Sequence, residues 1–264
     1  MSISTAVDIV EKYSMAELLS CVASRLLKDN RAVFVGTGLP MIASMLAQRT
    51  HAPNLLIVFE AGGMGPQVPV LPISVGDSRT FHKAVAASSM HDVMSASQAG
   101  YIDYGFLGAA AMDQYGNINT TVIGDWERPK VRLPGSGGAN DLGSFCWETM
   151  YIMRNQSTRT FMNELDFITT PGYLKGPGER EKAGLPADSG PYRVITQFGI
   201  YGFDDDSKRL ELLSLHPGVT VDEALSASQF EILISDEVMI TEPPTPEEQS
   251  ILHDIDPTGL VLGK

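Results

Sequence analysis

The chain has 264 residues, of which 43% are hydrophobic and 19% are charged, as in a globular protein large enough to bury its own core. Its formal net charge of −13 excludes the basic face on which nucleic-acid binding depends. No apolar run approaches the roughly 20 residues that span a bilayer, and residues 1–8 lack the basic start of a signal peptide. We therefore expect a cytoplasmic protein with no nucleic-acid or membrane partner.

The cysteines and histidines show no metal-binding pattern. Cys21 and Cys146 lie far apart, and the five histidines are scattered without the spacing of metal ligands. We expect two buried free thiols in a reducing compartment and predict no metal site.

The first predicted elements form a strand–helix–strand unit. Ser14 and Glu17 have the spacing of a capping box, which predicts that a helix begins there. Residues 31–35 are predicted to form a strand and residues 41–49 a helix. Residues 54–60 include five consecutive apolar side chains, which is typical of a strand buried on both faces. A helix between two such strands predicts that the strands are parallel.

The turn after the first strand contains Gly36 and Gly38 and leads into the helix. Such a turn could bind an anion at the helix N-terminus, or it could be a tight structural turn. The structural turn is favoured, because no third glycine follows at the spacing of a dinucleotide-binding motif.

Glu60 closes the second strand and is followed by Ala61, Gly62 and Gly63. Open α/β sheets place their chemistry beyond the carboxyl ends of the strands, and glycines there allow close approach of a substrate. Glu60 is therefore either a catalytic carboxylate or a strand-terminal residue that caps a neighbouring helix. Residues 62–76, rich in glycine and proline, are predicted to form a loop over this position.

The middle of the chain is predicted to alternate between helix and strand. Residues 80–100 are predicted to form a helix in which Met90 and Met94 belong to the core. A strand over residues 101–107 follows, and residues 115–121 have the turn chemistry of a hairpin.

A glycine-dense loop at residues 132–141 precedes a predicted helix start. Backbone N–H groups at Gly135, Gly137 and Gly138 could bind a phosphate or stabilise an oxyanion, although the same composition is also that of an ordinary turn. Together with Glu60, the loop offers a nucleophile and donors for a developing negative charge. Acyl transfer through an anhydride needs this combination.

The last part of the chain is predicted to add four strands, at residues 151–154, 165–170, 194–203 and 210–215. The charged residues 179–182 are predicted to form a solvated face within a long loop. Helices are predicted to begin after Thr220 and Thr245. Because no repeat or linker divides the sequence, we expect a single domain over residues 1–264.

A series of short motifs resembles the family I coenzyme A transferases, and in particular the B-type half of the glutaconate enzymes. The motifs, in chain order, are VGTGLP at residues 35–40, EAG at 60–62, YGNIN at 115–119, IGD at 123–125, GSGGAN at 135–140, RTFMN at 159–163, TPG at 170–172, GPGER at 176–180 and GLP at 184–186. The resemblance implies an α/β fold of this B-type, with an open, mostly parallel sheet flanked by helices.

The resemblance also implies a reaction and a site. Glu60 matches the family's nucleophile, which forms an acyl-glutamyl anhydride and then a glutamyl-CoA thioester. Coenzyme A thioesters would be substrates, with no permanently bound cofactor. Gly36, Gly38, Ala61, Gly62 and Asn140 would lie near the substrate. An A-type CoA-transferase partner of similar fold would complete the enzyme as a heteromer, within a higher oligomer.

The sequence around Glu60 departs from two forms of the family motif. Relatives that act on 3-oxoacids have Ser-Glu-Asn-Gly, and the glutaconate type has Glu-Ser-Gly, whereas this chain has Glu60-Ala61-Gly62. The acyl group, whether glutaconate or another dicarboxylic acid, stays open. Two alternatives also stay open, an acyl-CoA hydrolase or decarboxylase of the same fold and a ligand-sensing regulatory domain.

Overall fold

The computed structural model describes residues 13–263, which form one large sheet with helices on both faces. The predictions about residues 1–8 lie outside the described residues, and the assignment of residues 1–264 to one domain stays a prediction. The helices of the described residues, in chain order, are α1 (Met15–Arg25), α2 (Leu39–Arg49), α3 (Met90–Gln98), α4 (Ala139–Phe145), α5 (Glu179–Lys182), α6 (Val221–Ser226) and α7 (Pro246–Ile255).

Ten strands form the large sheet, and four others form two small hairpins. The strands, in chain order, are β1 (Ala32–Val35), β2 (Leu56–Val58), β3 (Gly63–Met64), β4 (Ala86–Ala87), β5 (Tyr104–Gly108), β6 (Ala111–Met112), β7 (Ile118–Asn119), β8 (Val122–Gly124), β9 (Pro129–Arg132), β10 (Glu148–Met153), β11 (Gly190–Thr196), β12 (Gly199–Phe203), β13 (Leu210–Leu215) and β14 (Leu233–Ile240).

The central strands β11, β10, β5, β1 and β2 are neighbours in that order, and all of them are parallel. Antiparallel strands extend the sheet on both sides, with β12 and β13 beyond β11 and with β3 and β4 beyond β2. The predicted mostly parallel sheet flanked by helices is confirmed. The parallel centre matters for function, because it brings the carboxyl ends of five strands to one edge.

Two apolar cores separate the sheet from its helical layers. One core packs α1, α2 and α7 against the sheet, with Leu19, Ile42 and Leu252 fully buried. The other lies on the opposite face, where Val93 of α3 and Leu142 of α4 are buried. Cys21 and Cys146 are buried free thiols, one in each core, as predicted.

Local sequence signals placed several elements correctly. Ser14 accepts from the Glu17 N–H while the Glu17 carboxylate accepts from the Ser14 N–H, so the predicted capping box is formed at α1. The β1–α2–β2 unit is parallel, and the two C-terminal helices begin at capping boxes after Thr220 and Thr245.

Several predicted elements were wrong in extent or type. The single strand predicted over residues 194–203 is two antiparallel strands, β11 and β12. The helix predicted over residues 80–100 begins only at Met90, because Ser89 caps it and Ala86–Ala87 pair with β3 at the sheet edge. Met90 is exposed rather than part of the core. Residues 165–170 do not form a strand, because only Thr170 bridges to Ile118 and the rest of the segment covers a hairpin.

The charged run at residues 179–182 was predicted to be solvated, and for Arg180 this is wrong. The run forms the one-turn helix α5, and Arg180 on its inner face is 2% exposed. Among residues 13–263, no helix is long and apolar enough to cross a membrane.

Asp256, just after α7, ties the C-terminal segment to the fold and generates a stability prediction. Its carboxylate accepts from the N–H groups of Leu260, Val261 and Leu262, and Leu262 is buried in the core. Burial opposes ionisation, but these donors outweigh it and hold the pKa of Asp256 below its ordinary value. Ionised Asp256 therefore stabilises the fold above the pKa of the unfolded chain, about 3.9, and the stabilisation is lost as the pH falls through the folded-state pKa.

We expect Asp256→Asn to lower the free energy of unfolding by about 1.5–3 kcal/mol at neutral pH, because a neutral amide accepts these hydrogen bonds less well. Urea denaturation at pH 7 and at pH 3 measures this, and the difference from wild type should shrink at the lower pH. Asp254→Asn, an exposed position on the same helix, is the control and should change stability by less than about 0.5 kcal/mol. An equal loss at both positions, or a loss independent of pH, would contradict the assignment.

Candidate active site

Glu60 lies at the corner of a tight hairpin between β2 and β3. Strand β2 ends at Val58, two residues earlier than predicted, because the chain turns back after Phe59. The Phe59 N–H donates to Gly63 O at 2.9 Å, and the Gly62 N–H donates to Phe59 O at 2.9 Å. Phe59 is fully buried in the core beneath α1 and α2, so the turn is anchored from below and Glu60 is left half-exposed at the carboxyl edge of the sheet.

Gly62 permits this turn for two reasons. Its φ of 110° is in the region that favours glycine, and an added Cβ would lie 2.1 Å from Ser88 O. In return, the N–H and the hydroxyl of Ser88 both donate to Gly62 O at 3.0 Å. Because Ser88 directly precedes the cap of α3, the corner that carries Glu60 is fastened to the start of that helix.

The glycine loop meets the Glu60 side chain, so the two segments singled out in the sequence are brought together. Gly138 is the N-cap residue of α4, and a Cβ added there would lie 3.1 Å from Glu60 Oε1. The corresponding distance for Gly137 is 3.8 Å. Only residues without side chains allow the loop backbone this close to the carboxylate.

The hydrogen bonds of the loop show which N–H groups are available. The Gly135 N–H donates to Thr120 O at 2.8 Å and is therefore occupied. Within residues 13–263, the N–H groups of Gly137 and Gly138 have no acceptor, and the Glu60 carboxylate has no donor. The Gly135 N–H is therefore not free to act as the predicted oxyanion donor. For Gly137 and Gly138 that role stays a prediction.

Three further residues position the loop, and sequence reasoning did not find them. Thr120 donates its hydroxyl to Gly135 O at 2.9 Å and its N–H to Thr169 Oγ1 at 2.8 Å. Met94 of α3 contacts the loop, with its Cε 2.6 Å from a Cβ added at Gly138. A methionine in a helical stripe and threonines after a turn carry no sequence signal that separates this role from ordinary packing.

Asn140, predicted to lie near the substrate, is exposed in the first turn of α4. Its side-chain amide donates to Thr169 O at 3.1 Å, which fastens the start of the helix to the 169–172 segment. Asn140 therefore lies in the helical turn that directly follows the glycine loop.

Gly36 and Gly38 lie at the carboxyl end of β1, the strand beside β2. Phe34 is paired with Val58, so Gly36 and Glu60 follow the ends of neighbouring parallel strands at the same edge of the sheet. The Gly36 N–H continues the sheet by donating to Phe106 O at 2.8 Å, and Gly38 caps α2 with a φ of 90° and no atom within 4 Å of an added Cβ. Gly38 therefore borders open space, whereas a Cβ added at Gly36 would lie 3.3 Å from Phe106 O. In the hairpin, Ala61 is partly exposed and Gly62 is buried against Ser88.

An exposed apolar surface borders the glycine loop, and we call it the hairpin patch. Trp126 stacks on Phe167 at a centroid distance of 5.2 Å, and the Arg132 guanidinium lies 4.8 Å from the Trp126 ring. Strand β9 leads directly into the loop, which the bond from Leu133 N–H to Thr121 O ties to the start of β8. The patch consists of five exposed side chains, Ile123, Trp126, Val131, Phe167 and Ile168.

The site is open on its solvent side. A cavity of about 510 Å³ lies elsewhere, at the amino end of β2, where Asn54, Leu56 and Val68 line it. Among the described residues, no group of three or more histidine, cysteine, aspartate or glutamate side chains is placed to hold a metal ion.

Comparison with known proteins gives a consistent result. A family model described as coenzyme A transferase matches residues 17–227. The chain is 39% identical to the B-type chain of 3-oxoadipate CoA-transferase from Pseudomonas knackmussii, over 92% of this chain and 94% of that protein. It is 35% identical to the B-type chain of glutaconate CoA-transferase from Acidaminococcus fermentans, over 93% of each chain.

Solved structures extend the comparison to the fold. The crystal structure of the Acidaminococcus fermentans glutaconate coenzyme A-transferase superposes with a TM-score of 0.90 at 34% identity, covering 96% of this chain and 99% of that one. The decarboxylase AibA/AibB superposes with a TM-score of 0.80 at 23% identity, covering 95% and 99%. The fold is therefore shared with proteins named for different reactions.

Proposed function

The chain belongs to the coenzyme A transferase family, as its motifs implied, and we propose that it is the B-type partner that carries the catalytic glutamate, Glu60. One observation carries the proposal. The Glu60 carboxylate has no hydrogen-bond donor among the described residues, and it lies against the loop in which the Gly137 and Gly138 N–H groups are unoccupied. A carboxylate that serves to hold the fold together would instead be bonded to the fold.

The reaction follows from this pairing. The Glu60 carboxylate attacks the thioester carbonyl and coenzyme A leaves as a thiolate, which gives a mixed acyl-glutamyl anhydride. The thiolate then attacks the glutamyl carbonyl, releases the free carboxylate and forms a glutamyl-CoA thioester. A second carboxylate repeats these steps in reverse, leaves as the new acyl-CoA and restores Glu60. The overall reaction exchanges one coenzyme A thioester for another of similar energy, so no nucleotide hydrolysis is needed.

The loop supplies what a weak nucleophile lacks. A carboxylate gains rate from orientation and from stabilisation of the charge that develops on the carbonyl oxygen. The hairpin corner orients Glu60, and the N–H groups of Gly137 and Gly138 are the donors that we assign to the developing oxyanion. We assign Gly36, Gly38, Ala61, Gly62 and Asn140 to the surroundings of the substrate, as the family resemblance implies.

The fold alone does not distinguish transfer from decarboxylation or hydrolysis, because the decarboxylase AibA/AibB shares it. Glu60 favours transfer, since the anhydride route needs a carboxylate at this corner. For the substrates, we propose coenzyme A thioesters of dicarboxylic acids, because relatives at 39% and 35% identity are named for 3-oxoadipate and glutaconate, which are both dicarboxylic. The two buried free thiols support a cytoplasmic location.

We further propose that an A-type CoA-transferase partner covers this site through the hairpin patch. The names of both relatives mark them as one half of a two-chain enzyme, and Glu60 of this chain is partly exposed. Exposed aromatic and arginine side chains are typical of interface cores, and here Trp126, Phe167 and Arg132 are already packed together. A partner seated there would exclude water from the anhydride.

We expect Glu60→Ala to lower CoA exchange by about a thousandfold or more in the complex with the A-type partner, because no anhydride can form. Glu60→Asp should also exchange poorly, since its carboxylate is withdrawn by one methylene, and hydrolysis of the thioester can replace transfer. The melting temperature should stay unchanged. Exchange between succinyl-CoA and a second dicarboxylic acid measures the rate, and mass spectrometry after hydroxylamine treatment locates the label within residues 54–65.

Glu247→Ala, an exposed position on α7, is the matched control and should exchange at the wild-type rate. Label on another peptide, or exchange by Glu60→Ala, would contradict the nucleophile assignment. Thioester hydrolysis by wild type without any label would favour the hydrolase alternative.

We expect Gly138→Ala to reduce kcat by about tenfold to hundredfold, because the methyl group would stand 3.1 Å from Glu60 Oε1 and displace the attacking geometry. The overlap with Met94 Cε is at the flexible end of a side chain, so the loss of stability should be small. The double variant Gly138→Ala with Met94→Ala removes that overlap but not the one with Glu60. Its kcat should therefore stay low, and full recovery would assign the effect to packing alone. Gly76→Ala in an exposed loop is the control.

We expect the isolated chain to be inactive without the A-type partner. We also expect Trp126→Ser to weaken the complex with that partner by about thirtyfold, as for an interface hot spot. Titration followed by size-exclusion chromatography with light scattering measures the complex. Met239→Ser on β14, also an exposed apolar residue, is the control and should bind normally. Full exchange by the isolated chain, or weakening at Met239 but not at Trp126, would overturn this interface.

A further inference from the structure

Arg180 is a buried cation whose role the reaction above does not explain. It exposes 2% of its surface, and within residues 13–263 no carboxylate forms an ion pair with it. Its Nε atom has no acceptor there either. Arginine is rarely buried so completely without a charged partner, because the loss of hydration is large. The role of Arg180 must therefore be sought in the groups to which its guanidinium donates hydrogen bonds.

The guanidinium joins the end of α4 to a neighbouring loop. Its Nη2 donates to Gly143 O at 3.1 Å and to Ser144 O at 3.3 Å, in the last turn of α4. Its Nη1 donates to Pro171 O at 3.2 Å and to Gly172 O at 2.8 Å. Carbonyl groups in the last turn of a helix lack partners within the helix, so Arg180 acts as a buried cap for α4.

The other end of α4 depends on the same loop. Asn140 donates to Thr169 O, and Thr169 Oγ1 accepts from the Thr120 N–H beside the glycine loop. Arg180 thus fixes the 169–172 segment at its far end, and that segment fixes the start of α4. The start of α4 is Gly138, the residue that lies against Glu60.

We propose that Arg180 is a positioning residue of the Glu60 site, an inference that rests on the proposed function. Through five oxygen acceptors, including Ser189 Oγ at 2.9 Å, it keeps α4 in the place where the Gly137 and Gly138 backbone meets the carboxylate. A lysine at this position retains the charge but has neither the planar fork nor the reach to hold both α4 and the loop.

The test compares Arg180→Lys and Arg180→Ala with Arg25→Ala in the complex with the A-type partner. Arg25 also makes several hydrogen bonds, to Glu248 and to the segment before α7, but it lies in the layer on the other face of the sheet. We expect all three variants to lose thermal stability. Arg180→Lys should also lose about tenfold to hundredfold in kcat per folded complex, with KM for the acyl-CoA changed by less than about threefold. Arg25→Ala should keep the wild-type kcat.

Chemical rescue gives a second measurement, which a loss of stability alone would not affect. Millimolar guanidinium should restore part of kcat in Arg180→Ala, by refilling the space that the side chain leaves, and should leave Arg25→Ala unchanged. Lys182→Ala, an exposed position on the same helix, controls for changes in α5 and should exchange normally.

The proposal is overturned if Arg180→Lys keeps the wild-type kcat, or if the Arg180 variants lose activity only in proportion to their folded fraction. Where Arg180→Ala does not fold, the kcat of Arg180→Lys decides. A wild-type complex that neither exchanges CoA nor labels at Glu60 refutes the proposed function instead, so the two failures are distinguishable.

Discussion

The close approach of the α4 loop to the Glu60 carboxylate is the constraint on which the rest of the carboxyl edge depends. With 3.1 Å between Glu60 Oε1 and the Cβ position of Gly138, there is no room for a side chain on the loop. The carboxylate must also be held still, which the hairpin corner achieves with Phe59 in the core and Gly62 against Ser88. The surrounding hydrogen bonds of Thr120, Asn140 and Arg180 can be understood as supports for this one contact.

The residues of the candidate site lie at the edge of the sheet and outside its hydrophobic cores. The parallel strands bring Glu60 and Gly36 to one edge of the sheet, but neither residue is part of the hydrophobic packing. The same architecture is found in a decarboxylase at a TM-score of 0.80. The fold therefore does not determine the reaction type, which depends on the residues that the scaffold carries.

Local signals in the sequence were enough for much of the fold and for the two halves of the site. Some features depend only on residues close together in the chain and can be recognised in the sequence. They include the capping boxes, the apolar run before Glu60 and the glycine loop. The errors at residues 165–170 and at Arg180 share a cause, since both owe their environments to distant partners. An apolar segment that packs on a hairpin looks like a strand, and an arginine in a charged run looks solvated until a helix end and a loop enclose it.

The hydrogen bonds of Arg180 also bear on the order in which the molecule assembles. They join it to Ser144 and Gly143, which are 36 and 37 positions away, across a segment whose closure costs chain entropy before any bond is formed. The helix they cap has seven residues, too short to be stable by itself in water. The hairpin that carries Glu60 pairs Val58 with Met64, which are close in the chain, whereas the capping of α4 by Arg180 depends on this long-range closure. During synthesis, Arg180 can therefore cap α4 only after the chain has been made beyond residue 180 and that segment has packed against the helix.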